Sequence, residues 1–157
     1  MKVNERARAP CDRGFTLVEL IVAMVILATL TAIAIPSYSI YVLKSHRTEA
    51  KSALLDLASL EERYFSTAGT YSNNPPDLGY PGTAGTAFPV GSGWYNVLVS
   101  VNAAIPPAPP ASPAGTPATY TITATAIGQQ LPDAACATFT INSAGQQTAT
   151  SPDCWAN

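Results

Sequence analysis

Residues 15–35 read FTLVELIVAMVILATLTAIAI, and Glu19 is the only ionisable side chain among these twenty-one residues. An α-helix rises about 1.5 Å per residue, so the stretch covers about 32 Å, enough to cross the hydrocarbon core of a bilayer. It is also longer than the roughly 7 to 15 apolar residues of a secretory signal peptide. The sequence therefore predicts a helix that anchors the chain in a membrane.

The residues before this stretch are basic on balance, with Lys2, Arg6, Arg8 and Arg13 against Glu5 and Asp12. Positively charged flanks of membrane helices stay on the cytoplasmic side. We therefore expect the leader to remain in the cytoplasm and the C-terminal part of the chain to be exported.

The exported part is poor in charge. The chain has 157 residues, with 8 Lys plus Arg against 10 Asp plus Glu, and no Lys or Arg follows Arg63. This length suits one small domain, and an apolar content of 47% excludes global disorder. The missing basic charge disfavours nucleic acid as a partner of this part, because DNA binding requires cations that neutralise phosphates.

The three cysteines divide between the two sides of the predicted anchor. Cys11 lies in the leader, whereas Cys136 and Cys154 lie in the exported part. An even pair in an oxidising compartment predicts a disulfide, which would stabilise a small domain by roughly 3 kcal/mol on the chain-entropy model. Two buried free thiols are the alternative.

A helical pattern resumes after Pro36 and continues to about residue 66, which predicts one long helix with a kink or a local loosening at the proline. Apolar residues recur every three or four positions in its second half, so one face of this half must be buried against another part of the chain. These positions are Ala50, Ala53, Leu54, Leu57, Leu60 and Tyr64.

The C-terminal part favours strands and loops. Residues 67–93 are rich in Gly, Pro and Asn and predict an irregular connection, and residues 105–117, with six prolines, predict an extended loop. Alternating apolar residues predict three strands and a fourth short strand or tail segment, at 94–104, 119–127, 136–142 and 147–150. We therefore predict an α+β fold with a small antiparallel sheet packed on the second half of the helix.

Glu19 is an unusual residue for a membrane helix, because a carboxylate there costs up to a few kcal/mol unless it has a partner or lies near the interface. The small residue Gly14, at the border of the leader, suits access by a peptidase. Cleavage after Gly14 would leave the amine of Phe15 as a cation that can neutralise Glu19 of a neighbouring subunit.

The run Gly14-Phe15-Thr16-Leu17, followed by Glu19 and an apolar helix, resembles the prepilin signature of the type IV pilin family, type IVa class. The resemblance implies cleavage between Gly14 and Phe15 by a prepilin peptidase, N-methylation of Phe15, and Glu19 as the carboxylate of subunit assembly. It also implies that the helices form the core of a fibre.

The resemblance extends along most of the chain and is to PilE-type minor pilins. It is carried by Ile35-Pro36-Ser37-Tyr38, Arg47-Thr48-Glu49-Ala50, Glu62-Arg63-Tyr64-Phe65, residues 120–124, Gln130, Asp133, Cys136 and Asp153-Cys154-Trp155. It implies the pilin fold with a disulfide-bonded C-terminal region. The implied segments are a leader (1–14), an assembly helix (15–35), an amphipathic half-helix (36–66), a connection (67–93) and a sheet region (94–157).

The implied function is that of a structural subunit, a minor pilin, of a type IV pilus that serves adhesion and twitching motility. Its partners would be other pilin subunits in a helical fibre, the prepilin peptidase and the inner-membrane assembly platform. The subunit would span the bacterial inner membrane once, with a periplasmic C-terminal domain, before it enters the extracellular pilus. Pro36 would let the helix melt locally in the fibre, a static kink being the alternative.

Two other functions are compatible with such an anchor: a pseudopilin of a type II secretion system, and an adhesin or DNA-uptake pilin. The amphipathic half-helix carries a basic face of Lys44, Arg47 and Lys51, for which we expect acidic partners on neighbouring subunits. The acids on the same helix are Glu49, Asp56, Glu61 and Glu62.

An enzymatic function is not expected, because His46 is the single histidine and no catalytic triad can be assembled. No CxxC motif or zinc-ligand spacing occurs, so we expect no cofactor and no metal. Asp133 and Asp153 give only a weak calcium signal, and turn capping is the favoured alternative.

Overall fold

The computed structural model describes residues 14–104 and 117–156. The leader before Gly14, with Cys11, and nearly all of the predicted proline loop lie outside the described residues. The chain forms two compact units, Met1–Ser39 and Ile40–Asn157, and the second is called the head below.

Helix α1 comprises Leu17–Ala68 and continues through Pro36. In the first of the two units, every described residue is solvent-exposed. By length and composition this helix is able to cross a membrane. Hydroxyl groups near the proline bond to carbonyls one turn earlier: Thr31 Oγ1 donates to Leu27 O at 2.7 Å, and Ser37 Oγ donates to Ile33 O at 3.2 Å.

The end of α1 is set by Gly69. This glycine has φ +71°, a left-handed conformation that favours glycine, and its N–H donates to Phe65 O at 2.8 Å. The chain therefore leaves the helix at this point and turns toward the sheet.

The head contains a five-stranded antiparallel sheet in which consecutive strands are neighbours. Its strands are β1 (Phe88–Val90), β2 (Tyr95–Asn102), β3 (Thr119–Ala126), β4 (Thr138–Asn142) and β5 (Gln147–Ala149). Short 3-10 turns lie at Pro75–Leu78, Gly128–Gln130 and Ala134–Cys136, and a short helix α2 comprises Asp153–Ala156.

The core of the head lies between the sheet and the part of α1 in the head. Ala50, Leu54 and Leu57 are buried and belong to one hydrophobic cluster with inward-facing strand residues such as Ile122 and Phe139. Each fully buried leucine contributes about 1.5 to 3 kcal/mol relative to exposure. The predicted α+β fold and the predicted apolar stripe are both confirmed.

The strands predicted at 94–104, 119–127 and 136–142 are present, and the segment after residue 146 is indeed a strand. Strand β4 begins only at Thr138, because Ala134–Cys136 form a 3-10 turn. The connection at 67–93 is more ordered than its composition indicated, since it contains strand β1 and a 3-10 turn. Pro89 is tolerated in β1 because this strand lies at the edge of the sheet.

Candidate functional site

The first turn of α1 is organised by Thr16. The backbone N–H of Glu19 donates to Thr16 Oγ1 at 3.2 Å, and the N–H of Leu20 donates to Thr16 O at 3.2 Å. This is the N-cap half of a capping box, with Glu19 at the third helical position. The role of Thr16 was missed, although Thr-x-x-Glu before an apolar run is its known sequence signal.

The position of Glu19 in this first turn reduces the cost of its charge. Backbone N–H groups at a helix N-terminus carry partial positive charge, which favours a carboxylate. The side chain is exposed, as are Gly14 and Phe15, of which Phe15 is 83% exposed. The three residues of the predicted processing and assembly site are therefore exposed together at the start of α1.

The helix that follows this site presents large apolar side chains on every face. Those exposed over more than half of their surface run from Leu17 to Tyr41 and include Met24, Leu30 and Ile35. Soluble monomers rarely expose a contiguous apolar surface of this extent. Such a helix requires either lipid or other helices around it.

In the head, a polar cluster joins α1 to the segment before the first cysteine of the disulfide. Arg47 donates from Nε and Nη2 to the two carboxylate oxygens of Asp133, at 2.7 and 2.6 Å, and the two side chains are only 17% and 5% exposed. These hydrogen bonds, more than the opposing effect of burial, raise the pKa of Arg47. The pair is a structural contact within one subunit.

Gln130, which is fully buried, completes this cluster. Its Nε2 donates to Leu43 O at 3.2 Å and to Asp133 Oδ2 at 2.8 Å. Its Oε1 accepts from Nδ1 of His46 at 2.9 Å, and the imidazole stacks on Trp94 with ring centroids 5.0 Å apart. The single histidine therefore packs within the head. The cluster satisfies both polar atoms of the Gln130 side chain with partners on α1 or on Asp133.

These contacts correct the expectation that the basic face of α1 meets acidic partners on neighbouring subunits. Arg47 is occupied by Asp133, and Lys51 Nζ donates to Trp155 O at 3.3 Å. Asp133 likewise acts as the partner of Arg47 and makes no side-chain capping bond to the 3-10 turn that follows it. The sequence did not reveal the pairs Arg47–Asp133 and Lys51–Trp155, because their members lie 86 and 104 residues apart and no local pattern joins them.

The acids of the same helix are also occupied within the head. Glu49 accepts from Ser92, Asp56 accepts from the hydroxyl of Tyr80, and Glu62 accepts from the hydroxyl of Tyr71. Glu61, expected to face another subunit, is instead fully buried, one helical turn beyond Leu57 on the core stripe. That expectation is wrong for Glu61.

Glu61 links the connection after α1 to the helix through a hydrogen bond. Its Oε2 accepts from the backbone N–H of Ser72 at 3.1 Å, whereas Oε1 has no hydrogen-bond partner among the described residues. Burial raises the pKa of Glu61, the bond from Ser72 opposes this, and the nearby charges of Glu62 and Asp77 raise the pKa further.

The predicted disulfide between Cys136 and Cys154 is present, with the two Cα atoms 5.7 Å apart. It fixes α2 next to the sheet, where Trp155 Nε1 donates to Thr148 O at 2.6 Å and the indole packs edge-on against Phe139. Within residues 14–104 and 117–156, no group of three His, Cys, Asp or Glu side chains is arranged to hold a metal ion.

Two family models match the chain. Residues 10–35 match the prokaryotic N-terminal methylation motif, and residues 36–140 match the family described as type IV minor pilin ComP, DNA uptake sequence receptor. The second match alone covers well over half of the chain and includes both α1 in the head and most of the sheet.

Curated relatives were also found. The chain is 34% identical over 79 residues to the type IV major pilin protein PilA of Myxococcus xanthus, covering 50% of this chain and 36% of that protein. It is 34% identical over 93 residues to the fimbrial protein EcpC of Eikenella corrodens (59% and 56%), and 32% identical over 97 residues to the fimbrial protein Q of Moraxella bovis (58% and 58%). The chain thus spans about a third to three fifths of the length of these relatives.

Proposed function

Because this chain belongs to the type IV pilin family, within the minor pilins, we propose that it is a structural subunit of a type IV pilus that polymerises through residues 15–35. The observation that carries this proposal is the exposed apolar surface of α1, most of which lies within the matched methylation motif. A membrane covers this surface before assembly, and the helices of other subunits cover it in the extracellular fibre. Adhesion and twitching motility are the activities such a fibre serves.

Processing creates the charge that assembly uses. A prepilin peptidase cleaves between Gly14 and Phe15, and Phe15 becomes the methylated N-terminus. The exposed position of both residues supports access to this bond. The new amine of Phe15 is a cation in an apolar setting and requires an anion as partner.

Glu19 supplies that anion on a neighbouring subunit. Its place in the first helical turn, next to the N-terminus, lets an incoming helix align its own first turn at the same depth. In lipid or in a fibre core, the pairing of the two charges offsets the cost of placing either of them away from water. Glu19 thereby selects the depth at which two helices pack.

The assembly platform of the inner membrane extracts the subunit, whose head lies on the periplasmic side in this proposal. Pro36 provides a weak point for that transition, because it removes one backbone donor from the helix. The hydroxyls of Thr31 and Ser37, which already bond to helix carbonyls, support local melting there in the fibre. In the free subunit α1 is continuous.

The test is to express the chain with Glu19→Gln in the cells that make it, next to wild type and a matched control, Glu62→Gln, in the head. We expect wild type and the control in sheared surface fibres. Glu19→Gln should be processed but retained in the membrane. Recovery of wild-type protein only in membranes would instead support a pseudopilin of a secretion system, and equal fibre entry of all three variants would contradict the role of Glu19.

DNA binding is a second candidate, favoured by the description of the matched family as a DNA uptake sequence receptor. The charge of this chain weighs against it, because no Lys or Arg follows Arg63 and Arg47 is already paired with Asp133. We expect no retention of duplex DNA by the full chain at physiological salt, measured by gel shift. A shift that weakens steeply with salt would establish this second function.

A further inference from the structure

Among the cations of the basic face, Lys44 is left without a side-chain partner in the part of the chain that the structure describes. Arg47 is held by Asp133, and Lys51 reaches Trp155 at the C-terminus. Lys44 is exposed, and only its backbone carbonyl is engaged, as acceptor of the Thr48 hydroxyl at 3.2 Å. Its ammonium group is therefore available to an anion outside the subunit.

The surface around Lys44 combines this cation with an aromatic side chain. A shallow open groove on α1 is lined by Tyr41, Lys44, Ser45 and Thr48, and Tyr41 is 71% exposed. A tyrosine with a nearby lysine is the side-chain pair that membrane helices place at the boundary between hydrocarbon and headgroups. The aromatic ring remains in the apolar layer, and the ammonium group extends toward the phosphates.

The distance along the helix places this pair at that boundary. The first unit contains helical residues 17–39, which span about 35 Å at 1.5 Å per residue. The hydrocarbon core is about 30 Å thick, so the helix passes out of it at the end of this unit. The run of large apolar side chains on α1 that are exposed over more than half of their surface also ends there, with Ile40 and Tyr41 as its last members.

We infer that Tyr41 and Lys44 form an anchor in the headgroup layer of a phospholipid bilayer, with the Lys44 ammonium bound to lipid phosphate. This inference rests on the proposed residence of the subunit in the membrane before assembly. The anchor fixes how far the head stands from the bilayer. It must be broken when the subunit is extracted into the fibre.

The test uses the full chain, with its lysine side chains labelled with ¹⁵N at Nζ, in vesicles of phosphatidylethanolamine and phosphatidylglycerol. Solid-state NMR measures how strongly lipid ³¹P dephases each ¹⁵N signal. The chain contains only Lys2, Lys44 and Lys51, so Lys44→Gln assigns one signal and Lys51→Gln serves as the matched control. We expect a dephased signal that disappears in Lys44→Gln and persists in Lys51→Gln.

A Lys44 signal without dephasing, in chains that resist alkaline extraction from the vesicles, would overturn the anchor while leaving membrane residence intact. Chains that alkali removes from the vesicles would contradict the proposed membrane residence itself and the anchor with it. A second measurement checks the tyrosine: Tyr41→Ser should weaken the dephasing of Lys44, whereas Tyr80→Phe, in the head, should leave it unchanged. Equal dephasing in both variants would contradict a role of Tyr41.

Discussion

Raising the pH should destabilise the head through Glu61. This carboxyl group is 0% exposed, accepts a single hydrogen bond from Ser72 and has an unpartnered Oε1 among the described residues. Burial is the main cause of its raised pKa, and the acids that face it, Glu62 and Asp77, act in the same direction. The phenols of Tyr71 and Tyr120, the other titratable groups near it, have raised pKa values and stay neutral in this range.

The sign of the effect follows from the raised pKa. Below the ordinary pKa of glutamate, 4.5, the group is neutral in both the folded and the unfolded chain, and the full stability of the head is present. As the pH rises from there through the higher pKa of the folded head, the unfolded chain loses its proton first and stability falls. Each pH unit between the pKa of the unfolded chain and the pKa of the folded head lowers the free energy of unfolding by about 1.4 kcal/mol.

The variant that isolates this effect is Glu61→Gln. It keeps an oxygen for the N–H of Ser72 but does not titrate, so its unfolding free energy should not carry this pH dependence. Its amide adds a buried donor, which we expect to cost about 1 to 3 kcal/mol at acidic pH. The matched control is Glu49→Gln on the same helix, because the charge of Glu49 is not among those that raise the pKa of Glu61.

The assay is denaturant unfolding of the full chain in detergent micelles between pH 4 and 8, followed by fluorescence of Trp94 and Trp155. Wild type and Glu49→Gln should lose stability over this range, and Glu61→Gln should lose less. Parallel pH profiles for wild type and Glu61→Gln would refute the assignment of this effect to Glu61.

Three further predictions concern stability. Asp133→Ala leaves the guanidinium of Arg47 largely buried without its anion and should lower the unfolding free energy by about 2 to 4 kcal/mol, whereas Asp133→Asn should cost less in the same denaturant titration. Replacement of Cys136 and Cys154 together by serine should cost roughly 3 kcal/mol, and an unchanged thermal midpoint would contradict a stabilising disulfide. Thr16→Ala should cost the first turn of α1 about 1 kcal/mol, seen as faster amide exchange at residues 19 and 20, and equal exchange rates would show that the cap contributes nothing.

The fold could be predicted where a local pattern determines the structure. The apolar stretch 15–35 permits little besides a long helix, and the stripe through Ala50, Leu54 and Leu57 indicates which face of α1 the sheet covers. The alternation in 119–127 likewise determines a strand. In these regions each residue's environment depends on neighbours a few positions away.

The head contacts could not be predicted because they join distant residues. Arg47 and Asp133 carry opposite charges, but nothing near either residue identifies the other as its partner. Glu61 was misplaced for a related reason: its spacing puts it on the buried stripe, but its charge suggests solvent. The burial becomes explicable only once Ser72 is seen to supply a hydrogen bond.

The central claim, that the chain is processed and built into a fibre, is tested most directly by mass spectrometry of fibres sheared from the cells. We predict a peptide that begins at methylated Phe15 in the fibre fraction, at a low ratio to the most abundant subunit. Its absence from both the fibres and the membranes, together with peptides that extend intact from Arg13 across Gly14 into Phe15, would contradict the account.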